Sequence, residues 1–306
     1  MARATLLRRG APAVLTLCVL GLLVRYLLDN RSYIAETYVL DLGGCVLMAC
    51  VALVCLLLRG IANRLFFQRL GVNASVRDWF RIATVTAFTN YLPFSAGFFA
   101  KGFFLKQVHA LSYRLFALGQ VALLLLILAT NGAVGLATLA LWPPERVGGV
   151  VGLALAGMIA SAGVLLLPQP WVSRLAGREL TWERADVARL RRILPGVAAI
   201  QTVILVLAAG GLWLAFGMGA AQVGYPACVI FAATIALTRA VSITPGAIGV
   251  REFLVGAVAH GIGFELRDGV IAATLFRAVE MGVVFSLGSV FSFALSNRIA
   301  ASYERS

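Results

Sequence analysis

Five ionisable residues stand in otherwise apolar sequence in the C-terminal half of the chain: Arg239, Arg251, Glu252, Arg277 and Glu280. Charges in apolar surroundings need partners or water, so these side chains are expected to lie close together. Two of them are three residues apart, a spacing that puts both on one helix face. Guanidinium groups bind phosphate through paired hydrogen bonds. Two interpretations stay open, a phosphate-binding site and an ion-pair network that only holds the chain in place.

Two apolar regions, residues 82–105 and 226–263, are interrupted by proline, glycine and polar residues. The interrupting residues are Asn90, Pro93 and Gly97 in the first region and Pro245, Gly246 and Gly249 in the second. Proline removes a backbone donor and glycine loosens a helix, so each region is predicted to hold a broken helix. Asn90 and Lys101 are candidate substrate contacts beside the first break. For Lys101, anchoring at a membrane interface is the alternative.

The elements that must position these residues are membrane helices. Of the 306 residues, 61% are apolar and 13% are charged, against about 25% charged in soluble domains. The mean hydropathy is +0.93, which excludes a soluble globular protein and a disordered chain. The sequence predicts an all-α polytopic membrane protein. Six apolar segments are long enough to cross a bilayer, namely residues 12–28, 40–58, 115–141, 147–167, 195–216 and 270–295.

The distribution of charge predicts the orientation of these segments. With the basic segments in the cytoplasm, that side carries 19 basic and 5 acidic residues, and the outside carries 3 and 6. Both termini are then cytoplasmic. The region 82–105 enters and leaves the membrane on the cytoplasmic side, and the region 226–263 enters and leaves it on the outer side. The alternative is that each is a kinked full span. Opposed broken helices are typical of transporter sites.

The net charge of +13 is expected to serve contact with an anionic membrane surface, and no nucleic acid is expected as a partner. Residues 63–79 are predicted to lie in the membrane interface, with apolar side chains down and arginines on headgroups. The polar segment 169–194 is predicted to be a cytoplasmic loop, either solvated or a docking site for a protein partner.

Other chemistry has few residues to support it. The sequence contains five cysteines and two histidines, and their spacing fits no metal site. No nucleophile motif or phosphate-binding glycine loop appears. We therefore predict no catalytic residue, no metal, no cofactor and no enzymatic activity.

Two motifs resemble a known family. Residues 90–97, Asn-Tyr-Leu-Pro-Phe-Ser-Ala-Gly, followed by Lys101, are similar to its first signature, and residues 244–252, Thr-Pro-Gly-Ala-Ile-Gly-Val-Arg-Glu, to its second. Arg277 matches a further position. The family is the lysylphosphatidylglycerol synthase transmembrane region, or flippase-like domain, and the resemblance covers roughly residues 40–295. It implies a bacterial or archaeal inner-membrane protein that moves a lipid between leaflets.

The sequence departs from this family in two places. Ser95 and Phe98 occupy positions where the family often carries arginine and glutamate, so a different headgroup is expected. The chain stops ten residues after Ser296, without the soluble aminoacyl-transferase domain of the larger synthases, so synthase activity is not expected.

The resulting hypothesis is a flippase for a polar-headed lipid that is anionic or carries phosphate. Its headgroup would bind Arg239, Arg251 and Arg277, while Glu252 and Glu280 would position these arginines or exchange protons. Two alternatives remain open. One is an intramembrane lipid-modifying enzyme, and the other is a non-transporting partner in an envelope-lipid biosynthetic complex.

Overall fold

The chain folds into helices joined by short connections. The structure is a computed structural model that describes residues 2–92, 96–143, 149–166, 184–240 and 244–303, and these contain no strand. The predicted all-α class is confirmed. The helices are α1 Ala2–Asp29, α2 Arg31–Thr37, α3 Leu42–Gln68, α4 Val76–Thr89, α5 Ala96–His109, α6 Tyr113–Leu141, α7 Gly149–Leu166, α8 Arg184–Gly217, α9 Tyr225–Ile235, α10 Leu237–Ala240, α11 Val250–Gly261 and α12 Leu266–Tyr303.

Local sequence explains where several helices begin. Asp41, Ser75 and Ser112 precede α3, α4 and α6, and each side chain accepts a hydrogen bond from a backbone N–H of the first turn. Such caps satisfy donors that have no partner inside the helix. The polar residues between apolar runs therefore fix the starts of the helices that carry the site.

Four helices in the described residues are long and apolar enough to cross a membrane. They are α3, α6, residues Arg192–Gly217 of α8 and residues Leu266–Asn297 of α12. The other two predicted spans, residues 12–28 and 147–167, fall on α1 and α7. A multi-pass membrane protein is therefore supported, and the number of six spans stays a prediction.

Each interrupted region forms a pair of short helices. α4 and α5 have 14 residues each, while α9 and α11 have 11 and 12. At 1.5 Å per residue they are roughly 17–21 Å long, shorter than the ~30 Å hydrocarbon core. α4 packs against α5, α9 packs against α11, and α12 contacts both pairs. Pro93 lies outside the described residues.

The backbone of the second interruption depends on glycine. Gly246 and Gly249 have φ of +60° and +81°, in the left-handed region that favours glycine. A Cβ atom at Gly246 would lie 2.7 Å from the ring of Tyr91, which follows α4. The first interruption is equally close-packed, because a Cβ at Gly97 would lie 2.3 Å from Asn90 Oδ1. The close approach of Gly246 to Tyr91 shows that the two interruptions meet.

Two predicted segments differ from the structure. Residues 63–79 are not an interfacial stretch, because α3 continues to Gln68 and the side chains of Phe66, Phe67 and Trp79 are fully buried. Phe67 stacks on Trp79 with 5.5 Å between ring centroids, and aromatic packing of this kind removes the apolar face from lipid.

The predicted loop 169–194 is helical in its last part. Residues 184–194 form the first turns of α8, with Pro195 inside the helix, while residues 169–183 lie outside the described part. Proline lacks a backbone N–H and is tolerated best where that donor is not needed, so the sequence suggested a helix start at Pro195. The proposed docking of a protein partner on this segment stays a prediction.

Candidate functional site

A cavity of about 1500 Å³ lies between the interrupted regions and the long helices α3, α6, α8 and α12. Pockets for drug-sized ligands are about 300–1,000 Å³, so this cavity has room for a larger ligand. Its ionisable lining residues, apart from Tyr91, are Arg59, Lys101, Arg239, Arg251, Arg277 and Glu280. Of the predicted substrate contacts, Asn90 also lines it and Glu252 does not.

Glu280 on α12 is the acceptor shared by two arginines. Arg251 Nη1 on α11 donates to Glu280 Oε2 at 2.7 Å, and Arg59 Nη1 on α3 lies 3.6 Å from Glu280 Oε1. Helix α3 packs against α12, as does α11, which brings residues distant in sequence together. Both side chains of the shorter pair are 13% exposed.

Arg277 lies one helical turn before Glu280 and has different partners. Its Nε is 3.3 Å from Glu252 Oε1, and these side chains are 5% and 1% exposed. Arg277 Nη2 donates to the carbonyl oxygen of Gly246, while Gly249 N–H donates to Glu252 Oε2 at 2.6 Å. Arg277 and Glu252 therefore hold the backbone of the second interruption at both glycines.

Arg239, at the end of α10, is the most accessible arginine of the cluster. Its side chain is exposed and lines the cavity. Within the described residues no carboxylate lies within 4 Å of it. It is near enough to Arg59, Arg251 and Glu280 to interact with them electrostatically. Its guanidinium is therefore available to a ligand.

Lys101 on α5 is buried, with 6% of its surface exposed. Its Nζ donates to Asn63 Oδ1 at 2.5 Å and lies 4.6 Å from the ring centroid of Phe67 and 5.8 Å from that of Trp79. Aromatic faces attract an ammonium group, so the two rings and the oxygen of Asn63 partly offset the cost of burying this charge. A side chain buried in this way does not serve as an interfacial anchor.

Sequence reasoning missed Arg59 and Asn63. Both were assigned to a cytoplasmic segment because Arg59 follows directly on the apolar run 40–58. The structure continues α3 to Gln68 and places both residues on the cavity wall. Their spacing of four residues, which puts them on one helix face, was the available signal.

The rest of the cavity wall is largely apolar. Val121, Leu124 and Ile127 of α6 line it, together with Phe98 and Phe99 of α5. The cavity therefore combines a cluster of charged groups with a wall of aliphatic and aromatic side chains. Such a lining matches an amphipathic ligand, with a polar part at the arginines and an apolar part against α5 and α6.

Comparison with known proteins agrees with the family that the two motifs indicated. The sequence profile described as "Lysylphosphatidylglycerol synthase TM region" matches residues 12–288, which is most of the chain. No curated protein and no solved structure gives a significant match. The match supports a membrane protein associated with lipid metabolism, and the chain belongs to the lysylphosphatidylglycerol synthase transmembrane-region family.

Proposed function

We propose that this protein is a lipid transporter that moves a lipid with an anionic, phosphate-bearing headgroup between the leaflets of a bacterial or archaeal cytoplasmic membrane. The observation that carries the proposal is the amphipathic cavity, in which Arg59, Arg239 and Arg251 line a space that also has a long apolar wall. The headgroup binds the arginines, and the acyl chains lie along α5 and α6.

The two interrupted regions supply the path. Each is a re-entrant pair of short helices, one from each side of the membrane, with both chain termini in the cytoplasm. Their tips meet where Gly246 contacts Tyr91, beside the guanidinium of Arg277. Movement of one tip relative to the other opens the cavity to one leaflet at a time, as in alternating access.

Transport accounts for the cavity better than catalysis. The carboxylate on the cavity wall, Glu280, already accepts a hydrogen bond from Arg251 and faces Arg59, so it is held as an ion-pair partner. A general base must be free to take a proton from the substrate. The two alternatives are a lipid-modifying enzyme and a non-transporting partner, and the experiment must distinguish both of them from a transporter.

The experiment measures leaflet exchange of fluorescent anionic phospholipids in proteoliposomes that contain the purified protein. We expect exchange above that of protein-free liposomes, and a loss of about 10- to 100-fold in Arg239→Ala, because a hydrogen bond to a charged group contributes about 1.5–3 kcal/mol. Arg69→Ala is the matched control, since Arg69 is exposed at the end of α3 and does not line the cavity.

Two results would contradict transport, and a third would contradict the role of Arg239. Wild-type exchange equal to that of protein-free liposomes would favour the non-transporting partner. Full exchange in Arg239→Ala would remove this arginine from the path. A change in lipid mass after incubation, detected by mass spectrometry, would favour the lipid-modifying enzyme.

A further inference from the structure

We infer that the headgroup recognised by the cavity is a phosphomonoester, a terminal phosphate close to dianionic, rather than a phosphodiester. The inference rests on the proposed function and names the substrate class of the same site. It depends on how the charges of the cluster are already paired within the described residues.

The first step is the charge balance of the cluster. Four arginines, Arg59, Arg239, Arg251 and Arg277, face only two carboxylates, Glu252 and Glu280. Arg277 and Glu252 neutralise each other, although Arg277 also lines the cavity. For the other three arginines Glu280 is the remaining carboxylate. It pairs with Arg251 and Arg59 and interacts with Arg239 only over a longer range, which leaves two positive charges without a partner. Uncompensated charge is costly in a protein surrounded by hydrocarbon, so the site favours a ligand that supplies two negative charges.

The second step is the number of free donors. The Nε–H groups of Arg59 and Arg251 are buried and have no hydrogen-bond partner in the described residues. Arg239 has no ion pair there, and its guanidinium carries five N–H donors. Arg277 Nε–H also has no hydrogen bond in the described residues, but it lies 3.3 Å from Glu252 Oε1. Apart from Arg277, three guanidinium groups with free donors thus line one space. A buried donor without a partner is unfavourable, so each favours an acceptor oxygen from the ligand.

The third step compares the two kinds of phosphate. A phosphomonoester carries about −1.5 to −2 charge at pH 7 and has three terminal acceptor oxygens, one for each free guanidinium. A phosphodiester has one negative charge and two such oxygens. The monoester therefore neutralises the two surplus charges and satisfies all three arginines, while the diester leaves one charge and one arginine unsatisfied.

The test measures binding of phosphatidic acid, a monoester, and phosphatidylglycerol, a diester, to the purified protein in phosphatidylcholine nanodiscs. We expect phosphatidic acid to bind at least ten times more tightly at pH 7.5. Its advantage should shrink at pH 5, because the second phosphate pKa is about 6, whereas phosphatidylglycerol binding should not weaken.

Protein groups near the site would not produce the same pH effect. The charged and titratable side chains around it are Cys55 and Arg59 on α3, Tyr91 after α4, Lys101 on α5, Arg239 on α10, Arg251 on α11, and Arg277 and Glu280 on α12. Arginine stays charged over this range. Any protein group that gains a proton at the lower pH would add positive charge and so strengthen anion binding. A weakening at pH 5 that is confined to the monoester therefore reports the ligand phosphate.

Variants and soluble competitors complete the test. We expect Arg239→Ala to remove most of the preference for phosphatidic acid. Arg239→Lys should do the same, because lysine keeps the charge but loses the paired donors of the guanidinium. Arg69→Ala should retain the preference. Equal affinities and equal pH profiles for both lipids would overturn the inference. If phosphatidylglycerol is nevertheless exchanged in proteoliposomes, the proposed transport survives that result. Competition by inorganic phosphate as strong as that by phosphatidic acid would overturn the assignment to a lipid.

Discussion

The buried pair of Arg277 and Glu252 gives a quantitative test of how the second interruption is held. Arg277→Met removes the guanidinium that lies 3.3 Å from Glu252 and donates to the carbonyl of Gly246. Among the described residues, Glu252, which is 1% exposed, then keeps the N–H of Gly249 as its one hydrogen-bond partner. Leaving one charge of a buried pair uncompensated costs about 3–5 kcal/mol. We expect the free energy of unfolding, measured by denaturant titration in mixed micelles, to fall by that amount.

Two variants act as controls for this measurement. Arg25→Met breaks an ion pair with Asp29 whose side chains are 81% and 67% exposed, and such pairs contribute at most about 1 kcal/mol. The double variant Arg277→Met/Glu252→Gln removes both charges and should be more stable than Arg277→Met alone. Stability of Arg277→Met within ~1 kcal/mol of the wild type, or additive losses in the double variant, would refute the reasoning.

Three further predictions follow from individual contacts. Gly97→Leu should reduce the folded fraction measured by size-exclusion chromatography, because even its Cβ would lie 2.3 Å from Thr86 O and Asn90 Oδ1; a folded, fully active variant would contradict this. Asn63→Leu should lower the free energy of unfolding by about 1–3 kcal/mol by leaving the ammonium of Lys101 without its acceptor, and Lys101→Met in the same chain should restore part of the loss; no coupling in this cycle would disprove the contact. Single cysteines at Ser32 and Ser302 in a cysteine-free chain should react with an impermeant maleimide from opposite sides; labelling from one side would refute the predicted topology.

Composition and the length of apolar runs were enough to predict the class of fold and most of the helices. An apolar run in a membrane protein can satisfy its backbone only as a helix, so residues 115–141 and 270–295 correspond to α6 and α12 with little ambiguity. The helix ends near Gly97 and Gly246 were also predictable, because a proline and a glycine close together in the sequence weaken a helix.

Tertiary pairing was not predictable in the same way. Arg59 and Glu280 are far apart along the chain, and their contact follows from the packing of α3 on α12. A charge just after an apolar run has the same local pattern whether it faces headgroups or the interior. Phe67 and Trp79 show the same ambiguity, because aromatic residues beside basic ones fit both an interface and a core.

The sequence grouped five charged residues into one site, and their packing divides them into two. Arg277 and Glu280 share a helix face and both line the cavity, but they make different contacts. Arg277 donates to the backbone of the interruption, whereas Glu280 pairs with Arg251 and Arg59. Glu252 pairs with Arg277, so both carboxylates already have arginine partners. Neither carboxylate is left to neutralise Arg239. Since the described part of the chain offers no further carboxylate on the cavity wall, the remaining positive charge favours binding of an anion from outside the chain, and in the function proposed above this anion is a lipid headgroup.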